Sequence, residues 1–532
     1  MAPLNVHIKH AGKVHDVQLD PELPPAVFKD AIYQVTGVPS ERMKVMIKGG
    51  MLKDDTDWRK VAPKEGQTFM VIGAAGELPK PPEKPVVFLE DMDDSELAQV
   101  LAYPVGLVNL GNTCYMNSTL QVIRSIPELQ VALEKSSPTG LAGQLKNLLL
   151  QMSRTTEAVT PTGFLSALRQ AYPQFAELSR GGAKGLGAAY AQQDAEECYT
   201  QLINSLKEVP GLPGPSGTNN GKKFVEQFLM GEMRRELKCD EAPEEPASVT
   251  TEKVLKVECN ISITTNYMLS GIMDALEGKI EKNSPSLGRQ AMYTSRSRLS
   301  RLPSYLTVHM VRFAWRRDIG KKAKIMRKVK FPLEFDALDI VTDDLKEKLL
   351  PVSRRLKEIE KDRAERRKVR KRTKTVAAGA SSSATPATPS ETRDVEMSDA
   401  TAAEVKKESN VELQNESVYR EKELKELEAL VHPDLKVDTG CSVSGLYELI
   451  AIITHKGAAA DAGHYMGFVK RSVFHPISRS PNEPGLPEDD EDWYKFDDNK
   501  VSIFPHEKLA TLDGGGEDSS AYVLLYKEKS LA

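Results

Sequence analysis

The chain has 532 residues, 40% of them hydrophobic and 28% charged, with a formal net charge of -4 and a pI near 6.2. That balance argues against a nucleic-acid-binding protein, five cysteines are too few for a disulfide framework, and no apolar run approaches the roughly 20 residues of a membrane span. The opening MAPLNVHIKH lacks the apolar stretch of a secretory signal, so a soluble intracellular protein of several units is expected.

The first elements are small. LNVHIKHAGKVHDVQL alternates apolar and polar residues about a glycine-containing centre, the pattern of a β-hairpin. PELPPAVFKDAIYQVTG places Val27, Ala31, Ile32 and Val35 at helical spacing, with Pro25 near the start, where its missing N–H costs little. KVMIKGGMLKDD and QTFMVIG read as two further strands. The order β-β-α-β-β over residues 1–75, with the passage Val45 to Asp55, resembles a ubiquitin-like β-grasp domain. Gly73, Ala74, Ala75 and Gly76 stand in place of a terminal Gly-Gly and the chain continues, so the resemblance implies no conjugation. It also implies an outward apolar patch on the sheet, for which Met46 and Ile72 are the candidates. GELPKPPEKP holds four prolines and is extended and semi-rigid, so residues 76–99 are expected to be a linker.

Residues 100–530 read as one large domain. GLVNLGNTCYMNSTLQVIRSIPEL, from residue 106, carries a tight loop at Gly106 and Gly111, capping residues Asn112 and Thr113, and then a helix. Cys114 falls at the helix N-terminus, where peptide dipoles favour a nucleophilic thiolate. Cys198, Cys259 and Cys441 sit in apolar periodic segments and read as small buried hydrophobes. QQDAEECYTQL places Asp194 and Glu197 in a capping-box pattern before a helix.

Charge then takes over. RRKVRKRTK carries seven basic residues in nine, and residues 376–403 contain almost no large apolar group. Such composition cannot offset its ordering entropy, so 354–418 is expected to be a disordered insertion within the domain. The basic run 366–374 is either a nuclear-import signal or a solvated helix; YREKELKELEALV, 419–431, reads as helical again.

A catalytic thiol needs a base, which can be distant in sequence. YELIAIITHKGAAADAGHYMGFVKR offers two histidines. His455 ends an apolar strand and reads as structural, whereas His464 follows a small-residue loop, at a hairpin rim. DEDWYKFDDNKVSIF supplies Asp497 and Asp498 to fix the imidazole; on a strand they point opposite ways, so only one can serve.

Together these three segments, with QQDAEECYTQL, LPSYLTVHMVRF and AYVLLY, resemble the ubiquitin-specific protease family of deubiquitinating cysteine proteases. The resemblance implies an α+β architecture: a ubiquitin-like β-grasp domain, then a papain-like cysteine protease domain of fingers, palm and thumb. It implies a thiol isopeptidase acting after ubiquitin's C-terminal glycine, with Cys114 as nucleophile, His464 as base and Asp497, the first polar residue after Phe496, as orienting group; Asp498 is the reserve. Asn109 would donate to the oxyanion, its other reading being a turn residue. Asp194 and Glu197 would line the channel for ubiquitin's basic tail, and Tyr465 would flank it unless it packs in the core.

The order of ubiquitin-like module, proline linker and protease is that of the proteasome-associated members. It implies docking on the proteasome regulatory particle through residues 1–75 and a cytoplasmic and nuclear location, with ubiquitin and ubiquitinated proteins as partners and no role for nucleic acid or membrane. In those members two loops, here Lys456 to Gly463 and Trp315 to Arg327, cover the channel until a partner moves them. Many relatives carry a zinc ribbon of paired CxxC motifs; here Cys239 and Cys259 stand alone, so no metal and no cofactor is expected. The competing reading is a noncatalytic ubiquitin-binding regulator.

Overall fold

In the computed structural model the described residues are 3–48, 50–74, 92–101, 103–178, 190–214, 221–317, 320–381, 416–459, 462–477, 485–487 and 490–531. They divide into two units, Met1–Asp91 and Met92–Ala532.

In the first unit, alternation places Val6, Ile8, Val17 and Leu19 on one buried face, so β1 (Leu4–His10) and β2 (Lys13–Leu19) pair antiparallel around the turn at Ala11 and Gly12. Helix α1 (Pro25–Thr36) covers that face with Phe28 and Ile32. The expected stripe is rotated slightly: Val27 is exposed, because Phe28 fills the space against Trp58 and Phe69. The passage read as one strand divides into β3 (Lys44–Ile47) and β4 (Gly50–Met51), and a short helix α2 (Trp58–Val61) precedes β5 (Thr68–Ile72). The sheet order β2-β1-β5-β3-β4, with β1 parallel to β5, is a β-grasp.

The linker expected over 76–99 lies largely outside the described residues, and its end belongs to the second unit. Residues Asp94–Leu101 form helix α3, where Asp94 accepts bonds from Thr156 N (3.0 Å) and Oγ1 (2.6 Å).

A helical lobe follows: α4 (Cys114–Arg124), α5 (Pro127–Lys135), α6 (Gly140–Met152), α7 (Thr162–Ala171), α8 (Ala195–Ser205) and α9 (Phe224–Phe228). All eleven residues of α4 are buried, so it is the axis on which the lobe packs.

The finger-like sheet has the order β7-β6-β10-β9, from β6 (Gly231–Cys239), β7 (Ser248–Val254), β9 (Glu277–Asn283) and β10 (Gln290–Arg301). Between them run β8 (Val257–Asn260) and α10 (Met268–Leu276). At the fingertip Glu245 accepts bonds from Ser284, Ser286 and Tyr293, and Cys239 packs with Ala291 and Tyr293.

The palm is a ten-stranded sheet. It takes in β8, β11 (Tyr305–Val311), a hairpin of β12 (Phe313–Arg316) and β13 (Lys321–Lys324), and β14 (Glu334–Asp336). After the helices come β15 (Leu446–Ala459), β16 (Ala462–Lys470), β17 (Trp493–Asp497), β18 (Lys500–Phe504) and β19 (Ser520–Glu528).

Both flanks of the insertion differ from expectation. Helix α11 runs through Asp343–Ser381, so residues 354–381 are helical, and α12 spans Glu416–Leu430, ahead of a short α13 (Pro433–Val437). The reason is pairing. Val352, Leu356 and Ile359 pack with Leu427 and Val431, and ion pairs Arg363–Glu423 (2.7 Å), Arg366–Glu423 (2.6 Å) and Arg370–Glu416 (2.5 Å) continue the contact outward. Residues 382–415 lie outside the described residues.

Candidate active site

Four elements bring the expected residues together. Cys114 is the first residue of α4 and is 3% exposed. The loop before it is folded by side chains: Asn109 Oδ1 accepts from Gly111 N (2.9 Å) and Thr113 N (3.3 Å), and Leu110 N donates to Thr113 Oγ1 (2.9 Å). Asn112 takes a positive φ of 52°, which asparagine tolerates better than most residues.

His464 lies on β16, opposite Lys456 of β15, and its neighbour strand β17 ends at Asp497. His464 Nε2 is 2.7 Å from Asp497 Oδ1. With that nitrogen engaged, Nδ1 is the one left for the thiol. The Cys114 sulfur and, against the opposing effect of burial, the Asp497 carboxylate favour the protonated ring, whose pKa is pushed up to about 9. Burial works against ionised Asp497, yet His464 and Lys495, at 3.3 Å, hold its carboxyl below the ordinary value.

The two aspartates are not separated by strand alternation, because the strand ends at Asp497 and both carboxylates stay near His464. Asp498 leaves the strand with φ 52°, and its carboxylate accepts from Asn109 Nδ2 (2.8 Å) and Asn117 Nδ2 (2.8 Å). Its backbone carbonyl accepts from Leu107 N (2.9 Å). The loop can lie this close because residue 106 is glycine: a Cβ there would meet Asn499 O at 2.5 Å. Asn117, one turn into α4, was not singled out from the sequence. No signal in the sequence sets it apart, since Ser118, Thr119 and Gln121 are polar neighbours on the same helix.

The remaining candidates fare differently. Asp194 N-caps α8 through Glu196 N (2.8 Å), and both its oxygens accept from Tyr522 Oη (2.9 and 2.8 Å). Glu197 accepts from Gln174 Nε2 (3.3 Å) and stays partly exposed. Tyr465, expected beside the channel, is a correction: it is 1% exposed and packs edge-on to His455 at 4.7 Å, so it presents no face to a substrate. His455 is fully buried, and burial together with Lys324 lowers its pKa to about 4, as befits a core histidine. Burial pushes the thiols of Cys198, Cys259 and Cys441 up to about 12.

Among the described residues, the ligand-type atoms of His464, Asp497 and Asp498 lie within 4.8 Å of one another. His464 and Asp497 are bonded to each other, whereas the Asp498 carboxylate is bonded to Asn109 and Asn117.

The loops flanking His464 are hairpins rather than slack connections. β15 and β16 stay paired out to Ala459↔Ala462, and Ala323 of β13 pairs with Ala459, joining the two hairpins. Lys324 Nζ, buried beneath the joint, donates to His455 O (2.9 Å) and Asp518 O (2.9 Å).

A thiol at a helix end, an imidazole and a carboxylate in sequence can transfer acyl groups. The comparisons agree. The family model described as ubiquitin carboxyl-terminal hydrolase matches residues 105–526. The chain is 40% identical over 532 residues to ubiquitin carboxyl-terminal hydrolase 6 of Schizosaccharomyces pombe, covering 99% of each. It is 37% identical over 537 residues to ubiquitin carboxyl-terminal hydrolase 6 of Arabidopsis thaliana, covering 98% of each. It is 28% identical over 548 residues to ubiquitin carboxyl-terminal hydrolase 14 of Caenorhabditis elegans, covering 98% of this chain and 93% of that protein. The chain belongs to the ubiquitin carboxyl-terminal hydrolases of the ubiquitin-specific protease type, and it is a cysteine-type deubiquitinating enzyme.

Proposed function

We propose that Cys114 is the nucleophile, His464 the base and then the acid, Asp497 the group that orients the imidazole, and Asn109 a donor to the oxyanion. The observation that carries this is the His464 Nε2–Asp497 bond of 2.7 Å on a ring whose proton is also favoured by Cys114. Sulfur attacks the carbonyl of ubiquitin's last glycine, His464 gives its proton to the departing lysine amine, and water then hydrolyses the thioester with His464 as base. Glu197, partly exposed, is the better placed acid for an arginine of the ubiquitin tail, since Asp194 is bound by Tyr522. The test is Cys114→Ala in the full chain, assayed with a ubiquitin C-terminal fluorogenic substrate. Turnover should fall to background while ubiquitin binding persists; turnover near wild type rejects the assignment.

Residues 1–75 are proposed to dock the enzyme on the proteasome regulatory particle, in cytoplasm and nucleus. Supporting this, Met46, Met51, Met70 and Ile72 are 44%, 45%, 52% and 53% exposed. Strand register sets Met46 beside both Met51 and Met70, and Ile72 beside Lys44, so they form one apolar patch with a lysine at its edge. Deleting residues 1–75 should abolish co-sedimentation with purified proteasomes and leave basal turnover intact; unchanged co-sedimentation rejects the reading. The joined hairpins are proposed to restrict access of the ubiquitin tail until docking shifts them.

A further inference from the structure

Asp498 is the reserve candidate for the relay, yet its bonds lead elsewhere. One carboxylate oxygen takes an amide N–H of Asn117, and the other takes an amide N–H of Asn109. Asn109 is thereby held at both ends. Its Oδ1 is fixed by the loop that runs into Cys114, through Gly111 N, Thr113 N and Thr113 Oγ1. Its Nδ2 is fixed by Asp498. Turning the amide over would set Oδ1 against a carboxylate and Nδ2 against N–H donors, so the network admits one orientation. An amide nitrogen has two hydrogens, and only one is spent on Asp498.

Asn117 is 3% exposed and grips from the other side, its Nδ2 also lying 3.3 Å from Leu107 O and 3.4 Å from Val108 O. Asp498 stays in the left-handed region, at φ 52°, with its carbonyl bound to Leu107 N and the backbone of Asn499 seated against Gly106. Such a conformation persists only where surroundings over-determine it.

We infer that Asp498, held by Asn117, is a positioning residue that aims the Asn109 amide at the developing oxyanion and is not part of the Cys114–His464–Asp497 relay. A carboxylate beside an oxyanion would repel it if its charge were free. Here each oxygen is taken by an amide, and the pull on one N–H of Asn109 polarises the group that serves the oxyanion through the other. The inference rests on the role proposed above for Asn109.

Two measurements on the full chain test it. The first is kcat and KM on the ubiquitin fluorogenic substrate. The second is the pH profile of Cys114 alkylation by iodoacetamide, which reads the thiol–imidazole pair without an acyl oxyanion. Asp498→Gly removes the carboxylate and suits the left-handed backbone. It should lower kcat about 10²-fold at unchanged KM, the scale of one lost oxyanion donor, and displace the alkylation profile less than Asp497→Ala does, since Asp498 reaches His464 only through its charge and not through a hydrogen bond. Asp498→Asn, which keeps one acceptor oxygen, should recover part of the loss. Asn109→Ala with Asp498→Gly should be no worse than Asn109→Ala alone, since both remove one interaction. Asp497→Ala should instead displace the alkylation profile. The inference is overturned if Asp498→Gly displaces that profile as Asp497→Ala does, or if its loss multiplies that of Asn109→Ala. A silent Asn109→Ala variant would reject the oxyanion assignment itself, a failure distinguishable from that of Asp498 alone.

Discussion

Two segments flank the imidazole of His464, and they are held by opposite means. The turn at Asp498 and Asn499 is pinned by side chains from two other elements and by contact with Gly106. The joined hairpins around Ala323 and Ala459 are held chiefly by backbone bonds, among them Gly457 N to Glu517 O (2.7 Å), together with the ammonium of Lys324. Groups that must keep their geometry within a fraction of an ångström are fixed through their own side chains. The hairpins, proposed above to act as a cover, must open at less cost than the pinned turn if they are to serve that role. Breaking each tie in turn should therefore give opposite results.

On the pinned side, Gly106→Ala should have the largest effect. A methyl group would overlap Asn499 O, C and Cα at 2.5, 2.6 and 2.7 Å, all backbone atoms with nowhere to go. The loop must shift, carrying Asn109 with it. A displacement near 1 Å at a reacting centre costs on the order of 10²-fold in rate. The expected outcome is that loss in kcat/KM with a chain that still melts cooperatively. Wild-type kinetics would show that the contact does not position the loop.

On the movable side, Lys324→Met should raise basal turnover. Methionine keeps most of the apolar stem and removes the donor that joins His455 O to Asp518 O. If the open form is a minor population, loosening the cover raises the fraction competent to bind, and apparent affinity rises in proportion. A gain of roughly two- to tenfold in kcat/KM without proteasomes is expected, with a smaller gain when proteasomes are present. Equal gains in both conditions would sever the link between the joint and docking.

The contrast also explains what the sequence made legible. GLVNLGNTCYMN, GHY and KFDDN are each contiguous in the chain, so their chemistry is readable locally. The network that orders them is not: Asn117 and Asp498 are 381 positions apart, and Asn109 and Asp498 are 389 apart. Asn117 reads as any polar residue on a helix until its partner is seen. The flanks of the insertion, 354–381 and 416–418, were not legible for a related reason. Composition predicted no buried surface, whereas Arg363 and Glu423, 60 positions apart, supply each other's partners across α11 and α12. The spacing of Val352, Leu356 and Ile359 was the local clue, one stripe of a helix inside a charge-dense run.

The smallest expected effect is with pH, and the two segments should answer with opposite signs. His464 has its pKa raised to about 9 by Cys114 and, against burial, by Asp497 and Asp498. A raised value means that its contribution to stability is fully present below the unfolded value of 6.5 and is lost as pH rises through about 9. Lys324 has its pKa lowered from 10.5 to about 8, first by burial and then by Arg312, against the opposing charges of Asp518 and Glu517. Folding there penalises the proton, so the penalty is complete below about 8 and is relieved as pH climbs toward 10.5. Between pH 8 and 9 the neighbourhood of His464 should therefore loosen while the hairpin joint tightens. Hydrogen exchange, corrected for the intrinsic pH dependence of amide exchange, reads both in one experiment. Protection across 455–459 and 321–324 should rise relative to that across 496–500, the turn whose Asp497 and Asp498 face His464. In Lys324→Met the rise should vanish and the fall should remain. Parallel changes in both segments would mean that they open as one unit, and the division into a pinned turn and a movable cover would fail.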